Sequence, residues 1–170
     1  MNTEITRVSL DEKETLRNLL EKYDYEFSQY DGRDVDEKGN FGYEWLDYYW
    51  IEDGRYAYFI RVDGKIAGFA MSCPYAEYRE STDYQVAEFC ILPKYRKLGL
   101  GKTLAFYLLD SLEGNWEIRY HPKNISSVKF WESIAKEYSK GKCEIIHGDK
   151  KVEDYEDGSP SNMIYLKSNK

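Results

Sequence analysis

Glu88-Phe89-Cys90-Ile91-Leu92-Pro93-Lys94-Tyr95-Arg96-Lys97-Leu98-Gly99-Leu100-Gly101-Lys102-Thr103-Leu104 is the stretch that decides the fold. A short apolar strand stops at Pro93, and a basic, glycine-punctuated turn runs from Arg96 to Lys102. Leu100, Leu104, Leu108 and Leu112 then recur at four-residue spacing, which predicts a helix from about Gly99 to Leu112. A strand, a glycine turn and a helix N-terminus together make an anion site. Glycine lets the backbone approach a phosphate closely, the first-turn N–H groups have no intrahelical partner, and the helix dipole favours negative charge. Arg96, Lys97 and Lys102 add positive charge to this turn.

The turn is neither of two familiar phosphate loops. A P-loop needs a glycine five residues before its Gly-Lys-Ser/Thr, and that position here is Arg96. A dinucleotide fingerprint needs a third glycine, where this chain has Leu104. A second segment narrows the choice. Trp116 to Tyr120 reads as a strand, followed by Asn124, then Ser127 three residues on, then Phe130 and Trp131. The two patterns together resemble the GNAT superfamily of N-acetyltransferases, and within it an uncharacterised group of bacterial predicted acetyltransferases. That family's loop reads Gln/Arg, two residues, Gly, one residue, Gly/Ala, and Arg96 to Gly101 fits every position. The resemblance spans roughly residues 1 to 166, but only these two stretches are specific. Without it, the first would read as a tight connector with a solvated basic rim.

The resemblance implies a fold of α/β (α+β) type, with a mixed, mostly antiparallel sheet of about seven strands flanked by about four helices. It implies acetyl-CoA as cosubstrate and no metal. Pantetheine would pair with the backbone of Phe89, Cys90 and Ile91. Pyrophosphate would lie on the N–H groups of Lys97, Leu98, Gly99, Leu100, Gly101 and Lys102, with Arg96 beside it. Asn124 would touch the pantetheine or thiol region, although an asparagine there is equally a helix N-cap. Glu88 is the candidate general base, directly or through one water, against the alternative of an outward-facing strand glutamate. Many relatives carry an acidic tyrosine where this chain has Trp131, and indole can donate a hydrogen bond but not act as an acid. Trp131 is therefore expected to pack beside the cofactor thiol, and the leaving thiolate needs no dedicated acid unless another tyrosine supplies one.

The composition bounds the rest. The 170 residues suit one domain, 1–170, and 42% hydrophobic residues suffice for a core. Against 31 Asp and Glu stand 24 Lys and Arg, a net charge of -7, which argues against a nucleic-acid binder while leaving room for a local basic site. There is no apolar run long enough to span a membrane, and residues 1–7 lack the pattern of a signal peptide. Cys73, Cys90 and Cys143 cannot all pair and show no metal-ligand spacing, so reduced thiols in a cytoplasm are expected. Only His121 and His147 are available to zinc or to a Ser/His/Asp system.

Along the chain, Glu4 to Val8 reads as a strand, and Ser9 with Glu12 as a capping box. Leu16, Leu19, Leu20, Tyr23 and Phe27 stripe the helix that follows. Tyr43 to Trp50 reads as a short second helix after a polar loop. Tyr56–Val62 and Ile66–Cys73 flank the turn Asp63-Gly64 as a hairpin. Residues 75–82 are a polar connection before the strand Tyr84–Leu92. Val128, Trp131, Ala135 and Tyr138 mark a last helix, and Cys143–His147 and Met163–Leu166 two last strands.

The resemblance also implies that the acceptor, expected to be a small-molecule amine, approaches from the side of the first two helices and the late strand loop. Tyr30, Asp31, Trp45 and Tyr48 are the candidate contacts, because aromatic rings and carboxylates suit a cation. Any one of them alone reads as core or solvated rim. Protein N-acetylation and CoA binding without turnover remain alternatives, and a homodimer is neither supported nor excluded.

Overall fold

The computed structural model describes residues 1–75 and 78–169. Residues 76 and 77, inside the connection expected at 75–82, lie outside the described residues. Seven strands form one sheet: β1 (Thr3–Arg7), β2 (Tyr56–Val62), β3 (Lys65–Cys73), β4 (Tyr84–Ile91), β5 (Asn115–Tyr120), β6 (Cys143–Ile146) and β7 (Asn162–Lys167). Their spatial order is β1-β2-β3-β4-β5-β7-β6. Every pairing is antiparallel except β4 with β5. Three α-helices cover the faces: α1 (Lys13–Asp31), α2 (Leu100–Ser111) and α3 (Ile125–Tyr138).

Period-two patterning splits the core into two layers. Tyr58, Ile60 and Val62 of β2 face α2 and α3, while Ala57 and Phe59 face α1. Between the sheet and α2/α3 lie Leu104, Leu108, Trp116, Ile118, Trp131 and Ile164. Between the sheet and α1 lie Leu16, Leu20, Leu46, Tyr49, Phe69 and Met71. The hairpin is as read: Asp63 (φ 50) and Gly64 (φ 78) both take left-handed backbone, the geometry a two-residue turn between twisted strands requires. Ser9 and Glu12 also form their capping box, the Ser9 N–H donating to the Glu12 carboxylate at 3.2 Å.

One expected element differs. Tyr43 to Trp50 is not an α-helix; it holds a 3₁₀ helix over Leu46–Trp50, so the α-helices number three rather than about four among the described residues. Tyr48, Tyr49 and Trp50 lose side-chain freedom against a preceding α-turn, and Gly42 and Gly54 bracket too short a span to offset that.

Two features of β4 position the site. Its parallel pairing with β5 covers only Tyr84 with Trp116, Gln85 with Glu117 and Val86 with Ile118. Beyond Val86 the strands diverge, leaving the β5-facing backbone of Ala87 to Ile91 without a ladder. On the other side the register against β3 shifts between Met71 and Ser72, which pair with Glu88 and Val86, so Ala87 is bulged. The bulge resets the alternation: Val86 and Phe89 both face α2/α3, while Ala87 and Cys90 face α1.

Gly68 holds β3 against this strand. A Cβ there would stand 2.3 Å from the Cys90 carbonyl oxygen and 3.1 Å from the Ile91 Cα, both backbone atoms that no rotamer change can move. Gly68→Ala is expected to cost about 3 kcal/mol or more of unfolding free energy in urea, at the upper end of overpacking costs. An unchanged midpoint would mean the strands separate freely here.

Candidate functional site

A groove of about 650 Å³ opens where β4 leaves β5. Its floor is Phe89, Cys90 and Ile91; one wall is α1 at Tyr23, Glu26, Phe27 and Tyr30; the other is α3 at Asn124, Ser127, Phe130 and Trp131. Its far end is the turn at Arg96, Lys97, Gly99, Gly101 and Lys102. Thus ten of the expected cofactor residues meet around one space, although they come from three separate segments.

The turn has the backbone of an anion site. Lys97 (φ 64) and Gly99 (φ 80) are left-handed, and Gly99 caps α2 without any side-chain hydrogen bond to its first-turn N–H groups. Gly101 has a packing reason as well, since a Cβ there would lie 3.0 Å from the Phe130 ring, which would have to give by a few tenths of an ångström. The cations differ from one another. Lys102 is ion-paired with Glu137 of α3. The Arg96 guanidinium reaches back across the groove, its Nε donating to the Ile91 carbonyl at 2.8 Å and its Nη2 pairing with Glu26 at 2.7 Å. Lys97 and Lys129 line the groove without an ion pair among the described residues. The Leu98 side chain is exposed and that of Leu100 is in the core, so only their backbone faces the turn.

Asn124 is the N-cap of α3, accepting the Ser127 N–H at 3.1 Å, and it lines the groove as well. Trp131 is buried edge-on to Phe89 and Phe130, each with centroids 4.9 Å away. Burial pushes the Cys90 thiol up to about 11, with the Arg96 charge opposing.

Glu88 turns toward α1, next to a charged cluster of which the sequence reading named only Asp31. Asp24 and Asp31 are both buried on α1, and Arg33 clamps them, Nη1 to Asp24 at 2.8 Å and Nε to Asp31 at 2.7 Å. Burial pushes the Glu88 carboxyl up to about 8, with the Asp24 charge adding to it; hydrogen bonds from Tyr23 and Tyr43 and the Arg33 charge oppose. Burial likewise lifts Asp24 to about 6 against the pull of Arg33. Across the gap, His121 is fully buried under Tyr155, 4.3 Å between ring centroids, with Phe27 and Tyr30 beyond. The Lys123 N–H donates to His121 Nδ1 at 3.1 Å, so the neutral ring carries its proton on Nε2, 3.4 Å from Asp157. Desolvation holds the His121 pKa down.

Of the four expected acceptor contacts, Tyr30 lines the groove and Asp31 is spent on Arg33. Trp45 and Tyr48 lie elsewhere. Residues three apart eclipse in a 3₁₀ turn, so Leu46 and Tyr49 go into the core together while Trp45 and Tyr48 share the other side, their rings tilted against each other with centroids 5.8 Å apart. The buried carboxylates had a signal: Leu16, Leu20, Asp24 and Asp31 share one helical face, so a stripe read as apolar continues into Asp24 and Asp31. Arg33 and Tyr155 come from loops and carried none.

A family profile described as Acetyltransferase (GNAT) family matches residues 14–135. The chain belongs to the GNAT acetyltransferase family. No curated protein sequence matches it. Among solved structures, a Thermus thermophilus acetyltransferase superposes with a TM-score of 0.68 at 11% identity, covering 98% of this chain and 97% of that one. A GNAT acetyltransferase of Staphylococcus aureus gives 0.66 at 13% identity, covering 99% and 100%. The PaiA N-acetyltransferase of Thermoplasma acidophilum, solved with coenzyme A, gives 0.60 at 16% identity, covering 98% and 99%. At these identities the likeness establishes the GNAT fold and no particular substrate.

Asn124→Ala is expected to lower unfolding free energy by about 1 kcal/mol through loss of the α3 cap, measured by denaturant titration. Glu88 gives a signed pH effect. Its folded-state pKa stands above its ordinary value of 4.5, so its contribution to stability is full below that value and is lost as pH rises through about 8. Glu88→Gln should therefore gain melting temperature relative to wild type between pH 6 and pH 9; a pH-independent difference would place Glu88 in solvent.

Proposed function

We propose that the protein is an acetyl-CoA-dependent N-acetyltransferase acting on the primary amine of a small molecule. The observation that carries this reading is the unladdered edge of β4, which opens onto the groove and points at an uncapped helix N-terminus. An extended amide-bearing chain ending in phosphates fits both ends of such a space. The pantetheine arm pairs along Phe89 to Ile91, and the pyrophosphate lies on the N–H groups of the Lys97–Lys102 turn, with Lys97 and Lys129 as the available cations. Phe89 and Trp131 supply the apolar wall beside the thioester.

Transfer forms a C–N bond and breaks the thioester C–S bond, and the amine gives up one proton. Glu88 is the acceptor for that proton, directly or through one water. A carboxyl lifted to about 8 is a far better base than an ordinary glutamate, and it is ionised in alkaline solution where an amine is increasingly neutral. The thiolate leaves without a dedicated acid, since its conjugate pKa is roughly 8.5. The acceptor enters between α1 and the β6–β7 connection, past Tyr30, Phe27 and Tyr155. There the rings of Tyr30, Phe27 and Tyr155 and the carboxyls of Asp24, Asp31 and Glu88 gathered around Arg33 suit a cationic amine. No helix among the described residues is long and apolar enough to cross a membrane. With no disulfide among the described residues, a cytoplasmic enzyme is the matching setting.

Calorimetric titration with acetyl-CoA, followed by an amine panel read by released CoA thiol, tests the proposal. Wild type should bind, and Lys97→Glu should weaken binding by roughly tenfold through loss of a charge-assisted phosphate contact. kcat/KM should rise with pH to a plateau above about 8. Glu88→Gln should lose that limb together with about 10²–10⁴ of the rate. Binding without thiol release for any amine would leave a CoA-binding module, and turnover only on peptides would make the acceptor a protein.

A further inference from the structure

We propose that Glu26 and Arg96 form a strap across the groove that the pantetheine arm of an acyl-CoA must displace, so that Glu26 governs how readily the cosubstrate enters. The inference rests on the acyl-CoA reading above and adds to it a device that the phosphate turn alone does not imply.

The contact joins α1, one wall of the groove, to the β4–α2 turn at its far end, and both residues line the groove. It differs from an ordinary surface ion pair in where the guanidinium is tied. Arg96 Nε donates to the Ile91 carbonyl at 2.8 Å, on the stretch of β4 that has no partner in β5. Arg96 Nη2 meets Glu26 Oε2 at 2.7 Å, and the Cys90 thiol sits against the same guanidinium. One flat cation thus occupies the Ile91 carbonyl on the backbone strip along which pantetheine would pair. Backbone carbonyls in such a cleft need a donor, and Arg96 is the donor that this chain provides.

The arrangement makes two states exclusive. With the strap closed, the strip at Ile91 is filled and the Arg96 charge is neutralised. With pantetheine on β4, the guanidinium has to leave Ile91, and Glu26 loses its partner. Both side chains are about two-fifths exposed, 43% for Arg96 and 40% for Glu26, so the pair is weak enough to open. A closed fraction lowers apparent affinity in proportion to the competent fraction that remains.

The test compares wild type with Glu26→Gln, which keeps the side-chain shape and removes the charge holding Arg96. Two probes are titrated calorimetrically: acetyl-CoA, and S-acetylpantetheine, which carries no phosphate. The strap predicts that Glu26→Gln binds both about three- to tenfold more tightly, with faster association by stopped flow. A gain confined to acetyl-CoA would overturn the strap, because it would show only that Glu26 repels phosphate. Unchanged affinity for both probes in a folded Glu26→Gln protein would overturn it as well, with the acyl-CoA reading intact. Failure of wild type and variant alike to bind either probe would overturn the acyl-CoA reading and the strap with it.

Discussion

The groove exists because β4 and β5 pair for only three residues. Parallel strands normally satisfy one another along their length, and an interrupted ladder in mid-sheet leaves polar backbone groups facing a gap. Here the gap lies between two strands that are each laddered on the other side, β4 to β3 and β5 to β7. Neither strand can drift in to close it. The bulge at Ala87 and the close approach at Gly68 fix β4 in this position, and α3, held off by Phe130 against Gly101, keeps the wall apart from the floor. A binding groove with an extended polar floor is thus a by-product of sheet geometry, and the side chains around it act on a space already formed.

The two ends of that space differ in charge because they are built from different groups. At the α2 end, helix dipole, uncapped N–H groups and lysines make a positive pocket. At the α1 end, Asp24, Asp31 and Glu88 share one guanidinium, and burial lifts two of those carboxyls. Burying carboxylates is costly unless they are paired, and Arg33 provides the pairing at both buried helix positions. The loop carrying Arg33 is itself tied down: the Glu21 carboxylate accepts the Phe41 and Gly42 N–H groups, each at 2.8 Å. That tie sets where Tyr43 enters, beside Glu88. The opposite rim is secured in kind, with Arg119 donating to Tyr78, Ser161 and the Glu153 carbonyl, and stacking on Tyr155.

What could be read in the sequence was what is local. The hairpin turn, the leucine period of α2, the glycine loop and the Asn124 segment each depend on backbone rules acting over a few residues, and they stand where they were expected. What could not be read depends on tertiary neighbours. Arg96 carries the same charge as Lys97, but only the folded chain brings Glu26 across to claim it. Trp45 and Tyr48 carry suitable chemistry for an acceptor, yet the 3₁₀ winding leaves Trp45 exposed and Tyr48 under the Arg55 guanidinium, away from the groove. Asp24 sits on a buried stripe, which a pattern of apolar residues alone passes over. The alternation along β4 also fails as a guide, because one bulged residue shifts every side chain after it to the other face.

A single strand with two unlike edges also has two unlike time scales. Amides of β4 that point toward β3 are held in a ladder at the centre of the sheet, and releasing them to solvent deuterium requires opening the core. Amides of the same strand that point into the gap have no such ladder and exchange through local fluctuation alone. Between Ala87 and Ile91 the protein therefore carries fast and slow amides side by side. The pattern marks the floor of the groove residue by residue, and a ligand that pairs with the strand erases it.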